Sequence, residues 1–178
     1  MDNAPCATAN GEDCCGDLLC VAGQCLAAGA YPNFQAPFPC DESWTYSHHD
    51  MEVRRALDFV NDNGATDARP ALAAAAGVAT QHYEAGGAGN YIVVEHGGGW
   101  KTYYFHLQAF SVGDGTAVAQ GQEVGLIGST GASSGPHLHF EELLNGQGMD
   151  IVINGQALAP YPGSYFEQSI VSENGCPP

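Results

Sequence analysis

The chain is short of positive charge. Four Lys and Arg stand against twenty Asp and Glu in 178 residues, a formal net charge of −16. Binding nucleic acid requires a basic surface that displaces counterions, and docking on anionic membranes requires the same, so neither partner is expected. Long apolar runs are missing as well: nothing approaches the roughly 18 consecutive apolar residues of a spanning helix, which argues against membrane insertion. The opening "MDNAPCATANGEDCC" has neither the basic start nor the apolar stretch of a secretory signal. No paired C-x2-C knuckle occurs, which disfavours a cysteine-rich zinc module. The Gly-rich run "GSTGASSG" (128–135) lacks the lysine of a phosphate-binding loop and leads into a strand-like segment, so it reads as a turn.

What is present is a core-forming, turn-rich chain. Hydrophobic residues make up 44%, with 24 Gly and 10 Pro, which suits one ordinary domain of many short strands. Seven cysteines (Cys6, Cys14, Cys15, Cys20, Cys25, Cys40 and Cys176) point to an oxidising compartment, and hence to a secreted or extracellular protein whose signal has been removed. Seven is odd, so one lacks a partner within the chain. Five fall in residues 1–27, where the spacing C-x7-CC-x4-C-x4-C resembles the later part of a knottin-like, disulfide-stapled segment. Residues 28–39, rich in Ala, Gly and Pro, read as a linker; residues 40–178 form the main domain. Cys40 and Cys176 bracket that domain, and a bridge between them would staple its ends.

Strands are expected at 90–97, 100–107, 122–129, 137–144 and 149–155, giving an all-β, antiparallel domain. The alanine-rich stretch 69–83 has helix propensity. Its flanking Pro70 and Gly77 favour strand–turn–strand instead.

Within "SSGPHLHFEEL" (133–143), His137 and His139 alternate with Leu138 and Phe140. On a strand, positions i and i+2 share a face about 7 Å apart, so two imidazoles there can both reach one metal ion. Asp58 lies between Leu57 and Phe59 in "ALDF", where alternation turns its carboxylate away from both apolar neighbours. His48 and His49 precede it by about ten residues. Alternation also places Tyr104 with His106 in "TYYFHL", which makes Tyr104 the candidate for a groove wall and substrate contact. His82 and His96 read as structural.

The blocks "ARPALAAAAGVATQHY", "GNYIVVEHGGGWKTYYFHL" and "VGDGTAVAQGQEVGLIGSTGASSGPHLHFE" resemble, in order, the signature segments of the lysostaphin-like, or M23, zinc metallopeptidases. The likeness covers about residues 40–155, and "GSTGxSxGPHLHFE" is far more specific than a lone H-x-H. The tail "NGQGMDIVINGQALAPYPGSY" is similar to the closing segment of the β-lytic, LasA-like branch. The resemblance implies an antiparallel β-sheet groove and a secreted, bacteriolytic, zinc-dependent endopeptidase acting on peptidoglycan peptides, including glycine-containing bridges. It also implies one Zn²⁺ per monomeric chain. The ligands it implies are His49, Asp58 and His139, His49 being preferred to His48 because "YSHH" resembles "YSGH" of the relatives. The implied non-ligand catalytic residues are His106 and His137. The alternative is a non-catalytic wall-binding or regulatory module of the same fold.

Overall fold

The structure is a computed structural model that describes residues 18–21, 24–27, 32–48, 54–158 and 168–177. Two strands, β1 (Leu18–Val21) and β2 (Gln24–Ala27), form their own antiparallel hairpin, with Cys20 opposite Cys25. The remaining cysteines of the N-terminal segment lie outside the described residues.

Thirteen further strands follow: β3 (Ser43–His48), β4 (Leu57–Asn61), β5 (Pro70–Leu72), β6 (Gly77–Glu84), β7 (Gly89–Gly97), β8 (Trp100–Phe110), β9 (Thr116–Val118), β10 (Glu123–Ile127), β11 (Leu138–Leu144), β12 (Gln147–Gly148), β13 (Val152–Ile153), β14 (Gln156–Ala157) and β15 (Gln168–Val171). Eleven of them form one sheet in the order β15-β3-β4-β11-β8-β7-β6-β9, with β10 bridging β5 and β8 and β12 beside β11. Every pairing is antiparallel, and no helix occurs among the described residues, as the strand and turn pattern predicts.

The sheet is two-faced because its strands alternate. In β4, Leu57 and Phe59 are buried while Asp58 and Val60 are only partly so. In β11, Leu138 and Phe140 point to the same core, where Phe140 packs edge-on against Tyr104 (5.3 Å) and Phe59 (6.4 Å). Burying each such side chain contributes roughly 1.5–3 kcal/mol.

Residues 32–39 correct the linker expected at 28–39. Phe34, Ala36 and Phe38 are essentially inaccessible, and Phe38 stacks on Trp44 at 4.6 Å. Their main chain is also committed: Gln35 N donates to Ala74 O, and Leu72 N donates to Pro37 O. Ala, Gly and Pro content suggested a spacer, but the alternate large apolar residues make it a lining strap.

The alanine-rich stretch is strand–turn–strand, β5 into β6. Ala71, Ala73 and Ala74 are wholly buried, and Ala73 exchanges main-chain bonds with the Gly121–Gln122 turn. Small side chains permit that close approach; a helix would remove these partners.

Cys40 and Cys176 are joined, closing a separation of 136 residues. Loop-closure entropy alone makes such a bridge worth roughly 4–5 kcal/mol. It fastens β15 alongside β3, the strand that leads toward the two adjacent histidines.

Candidate active site

Antiparallel register puts Asp58 of β4 opposite His139 of β11, and Phe105 of β8 opposite His139 on its other side. Cross-strand partners share a face. The alternation that sends Leu57, Phe59, Leu138 and Phe140 into the core therefore sends Asp58 and His139 to the other side of the sheet.

Nδ1 of His139 lies 3.1 Å from Oδ1 of Asp58, and Nε2 lies 3.1 Å from Oε1 of Glu141. The Phe105 ring stacks flat on the imidazole at 4.7 Å. Glu141 is fully buried and is capped by Arg54, whose Nη2 is 2.6 Å from Oε2. The guanidinium in turn sits 4.9 Å over the Tyr103 ring. Burial by itself pushes His139 toward its neutral form. The bonds to Asp58 and Glu141 outweigh that, and its pKa is raised.

This donor set fits a divalent zinc-type ion. In a tetrahedral site with ligand bonds of about 2.0–2.1 Å, neighbouring donor atoms stand about 3.3 Å apart, close to the Asp58–His139 spacing. Nδ1 and the Asp58 carboxylate face each other across the space between them, where a cation could be shared. Nε2–H donates to Glu141, the outer carboxylate that fixes tautomer and ring orientation in metal-binding histidines.

His106 reaches the same cleft by a different route. Between the pairs Ile92–Tyr104 and Asn90–Leu107, β8 has two residues where β7 has one, a β-bulge at Phe105–His106. His106 takes a left-handed φ of 62°, a conformation uncommon outside glycine. The bulge lets both Phe105 and His106 line one cavity of about 480 Å³, together with His139. Its main chain is held by His106 N donating to Ala88 O at 2.9 Å. Nδ1 donates to Thr130 O at 2.8 Å, and since a carbonyl only accepts, Nε2 is left as a bare acceptor. Desolvation pushes the ring's pKa down to about 4, so it is neutral near pH 7.

His137 completes the group just before β11 begins. Its ring centre is 4.7 Å from that of His106, its Nδ1 donates to Gly135 O at 2.9 Å, and its Nε2 is 3.8 Å from Asp58 Oδ1. Gly131–Gly135 also has the Gly-x-Ser-x-Gly spacing of a serine nucleophile elbow. Ser133 does not act as one: its hydroxyl donates to Gly135 O at 2.8 Å, and the turn feeds a strand rather than a helix.

Of the residues expected from sequence, Asp58, His106, His137 and His139 come together. His49 lies outside the described residues. His48 closes β3 opposite Leu57, on the face away from Asp58, and is buried. Tyr104 requires a correction. It is fully buried, accepting from Ala74 N at 2.8 Å and lying 3.0 Å from the Thr102 hydroxyl. The bulge breaks the alternation that would have paired it with His106, so Tyr103 and Phe105 line the cleft instead. His96 is structural, bonded to Ala76 O and Thr102, and His82 stacks on Tyr91.

Sequence reasoning missed Glu141 and Arg54. The signal for Glu141 was available, since His137, His139 and Glu141 continue one i, i+2, i+4 face. Arg54 carries no such signal, because a turn residue's direction follows from no period.

Residues 53–151, more than half of the chain, match peptidase family M23. The chain belongs to that family. Over 99 residues it is 44% identical to the DD-carboxypeptidase/endopeptidase Mpg of Neisseria meningitidis, covering 56% of this chain and 22% of that relative. The chain thus spans about a fifth of the length of such curated relatives. Among solved structures, a zinc-containing peptidase from Vibrio cholerae superposes with a TM-score of 0.53 at 27% identity, covering 78% of this chain and 43% of that one. The antimicrobial peptidase lysostaphin from Staphylococcus simulans superposes at 0.52 and 27%, covering 72% and 52%. These neighbours share the antiparallel all-β fold.

Proposed function

We propose that the chain is a zinc-dependent endopeptidase that hydrolyses peptide cross-links of bacterial peptidoglycan. The observation that carries this reading is the Asp58–His139 donor pair, 3.1 Å apart, set in a cleft that also presents His106. The name of a Vibrio cholerae relative, a peptidoglycan DD-endopeptidase, supports the substrate class. Secretion and bacteriolytic action belong to the same proposal, supported by the Cys40–Cys176 bridge, which suits an oxidising compartment. So do a single zinc per monomeric chain and activity on glycine-containing bridges.

His139 through Nδ1 and Asp58 through Oδ1 would hold the ion, with His49 as third ligand. When bound, zinc supplies Lewis-acid activation of water and of the scissile carbonyl. The protein's own groups do the rest. Neutral His106, its Nδ1 pinned to Thr130 O, offers Nε2 as proton acceptor. His137, its Nδ1 fixed on Gly135 O, presents Nε2 beside Asp58, where a proton taken up during the reaction would turn it into a donor to developing negative charge. Glu141 holds the His139 ring in place, and the aromatic wall of Tyr103 and Phe105 excludes water from one side of an extended peptide.

The test is mass spectrometry of fragments released from purified sacculi by the zinc-loaded protein. Cross-linked dimers should disappear and monomeric peptides accumulate, and His139→Ala should lower that rate at least about a thousandfold while losing zinc. Binding to sacculi with no fragment released by the unaltered protein would replace this reading with a wall-binding module.

A further inference from the structure

We infer that Glu84 makes the cleft selective for peptides bearing a free ammonium group close to the scissile bond. The inference rests on the hydrolase reading above and names the substrate feature which that site prefers.

The argument begins with charge. The chain has only four Lys and Arg, and each is committed to a carboxylate: Arg54 to Glu141, Arg55 to Asp150, Arg69 to Glu42 and Lys101 to Glu95. Arg54 is the one that lines the cleft, and its Nη2 is engaged by the buried Glu141. No uncommitted Lys or Arg is left to receive a substrate carboxylate.

Glu84, at the end of β6, lines the same cleft and has no cation partner among the described residues. Its carboxylate is folded back over the turn. A Cβ at Gly87 would sit 2.6 Å from Glu84 Cδ, so glycine is what allows the carboxylate that position. Ala88 N approaches Oε2 at 3.4 Å. The turn is stitched in place by Ala132 N donating to Gly87 O at 2.8 Å and His106 N donating to Ala88 O at 2.9 Å. The loop that carries Glu84 is therefore fixed to the two segments that present His106 and His137.

Tyr91 lies on the cleft wall beside it. Its phenol is pushed up first by burial and then by the field of Glu84, with Arg54 acting more weakly the other way. A carboxylate without a counter-ion at the wall of a cleft is suited to an ammonium, which gains a charge-assisted ion pair. A substrate carboxylate in that place meets repulsion.

The experiment uses the zinc-loaded full chain and two preparations of cross-linked peptides released from peptidoglycan, one untreated and one with its free amines acetylated. The unaltered protein should cleave the free-amine form with kcat/KM about five- to tenfold higher, mostly through KM. Glu84→Gln should bring the free-amine rate down to that of the acetylated form. Asp67→Asn, which removes an equal charge outside the cleft, should keep the preference. Equal cleavage of both forms by the unaltered protein, or an undiminished preference in Glu84→Gln, overturns the inference and leaves the hydrolase reading standing. Cleavage of neither form overturns the hydrolase reading, and this inference with it.

Discussion

Strands β11 and β8 lie side by side through six register pairs, from His139–Phe105 to Leu144–Trp100, and deliver imidazoles to one cleft by opposite means. From Leu138 to Phe140, β11 is regular: one face enters the core and the other presents His139 to Asp58. β8 is regular only as far as Tyr104. There a bulge and a left-handed His106 turn two consecutive side chains toward the cleft. Regular pairing suits a metal ligand, whose partners must sit at fixed spacing across strands. The bulge suits a proton carrier, because it frees a ring from the flat sheet and lets Thr130 O fix its tautomer. The difference shows how a sheet made for packing acquires a reactive edge: local irregularity re-aims a side chain without disturbing the core behind it.

The contrast can be broken most sharply at His106. His106→Ala should lower kcat by about 10²–10⁴-fold with zinc content unchanged. Loss of zinc in that variant would put His106 on the metal side of the comparison instead. Glu141→Gln acts on the regular strand through His139, and should weaken zinc affinity by about 10–100-fold in a chelator competition. Unchanged affinity would mean that the Nε2–Glu141 bond orients nothing. Tyr104→Phe tests the residue just before the bulge. It strips the acceptor from buried Ala74 N–H and should cost about 1–3 kcal/mol in denaturant unfolding, with kcat/KM unaltered in the folded protein. A selective rise in KM would restore Tyr104 to the groove.

The smallest effect concerns acid. His96 at the far end of β7 is desolvated, which holds its pKa below the ordinary 6.5 despite the bond to Ala76 O. On acidification the unfolded chain therefore takes up the proton first. The stability contributed by the neutral ring is intact above about pH 6.5 and declines as the pH falls through that value toward the folded pKa. The melting temperature measured at about pH 7.5 and about pH 5 should fall less in His96→Asn than in the unaltered protein. Equal drops would remove His96 from the account.

Much of the molecule was legible as a pattern. Alternation in "ALDF" and "PHLHFE" placed Asp58 and His139 opposite the core, turn-forming residues marked the strand ends, and Cys40 and Cys176 bracketed the domain they now close. Residues 32–39 read as linker because composition was weighed above the spacing of Phe34, Ala36 and Phe38, which are buried. Tyr104 failed because alternation was carried one residue too far.

Sequence alone, then, determined the antiparallel all-β class and the residues that share the Asp58–His139 face, since both follow from a two-residue period that any extended chain obeys. Tertiary structure alone decided that His106 rather than Tyr104 faces the cleft, that Arg54 caps Glu141, and that Glu84 folds over Gly87. Each of these depends on a bulge, a turn or a close approach between segments distant along the chain, and no local period encodes them.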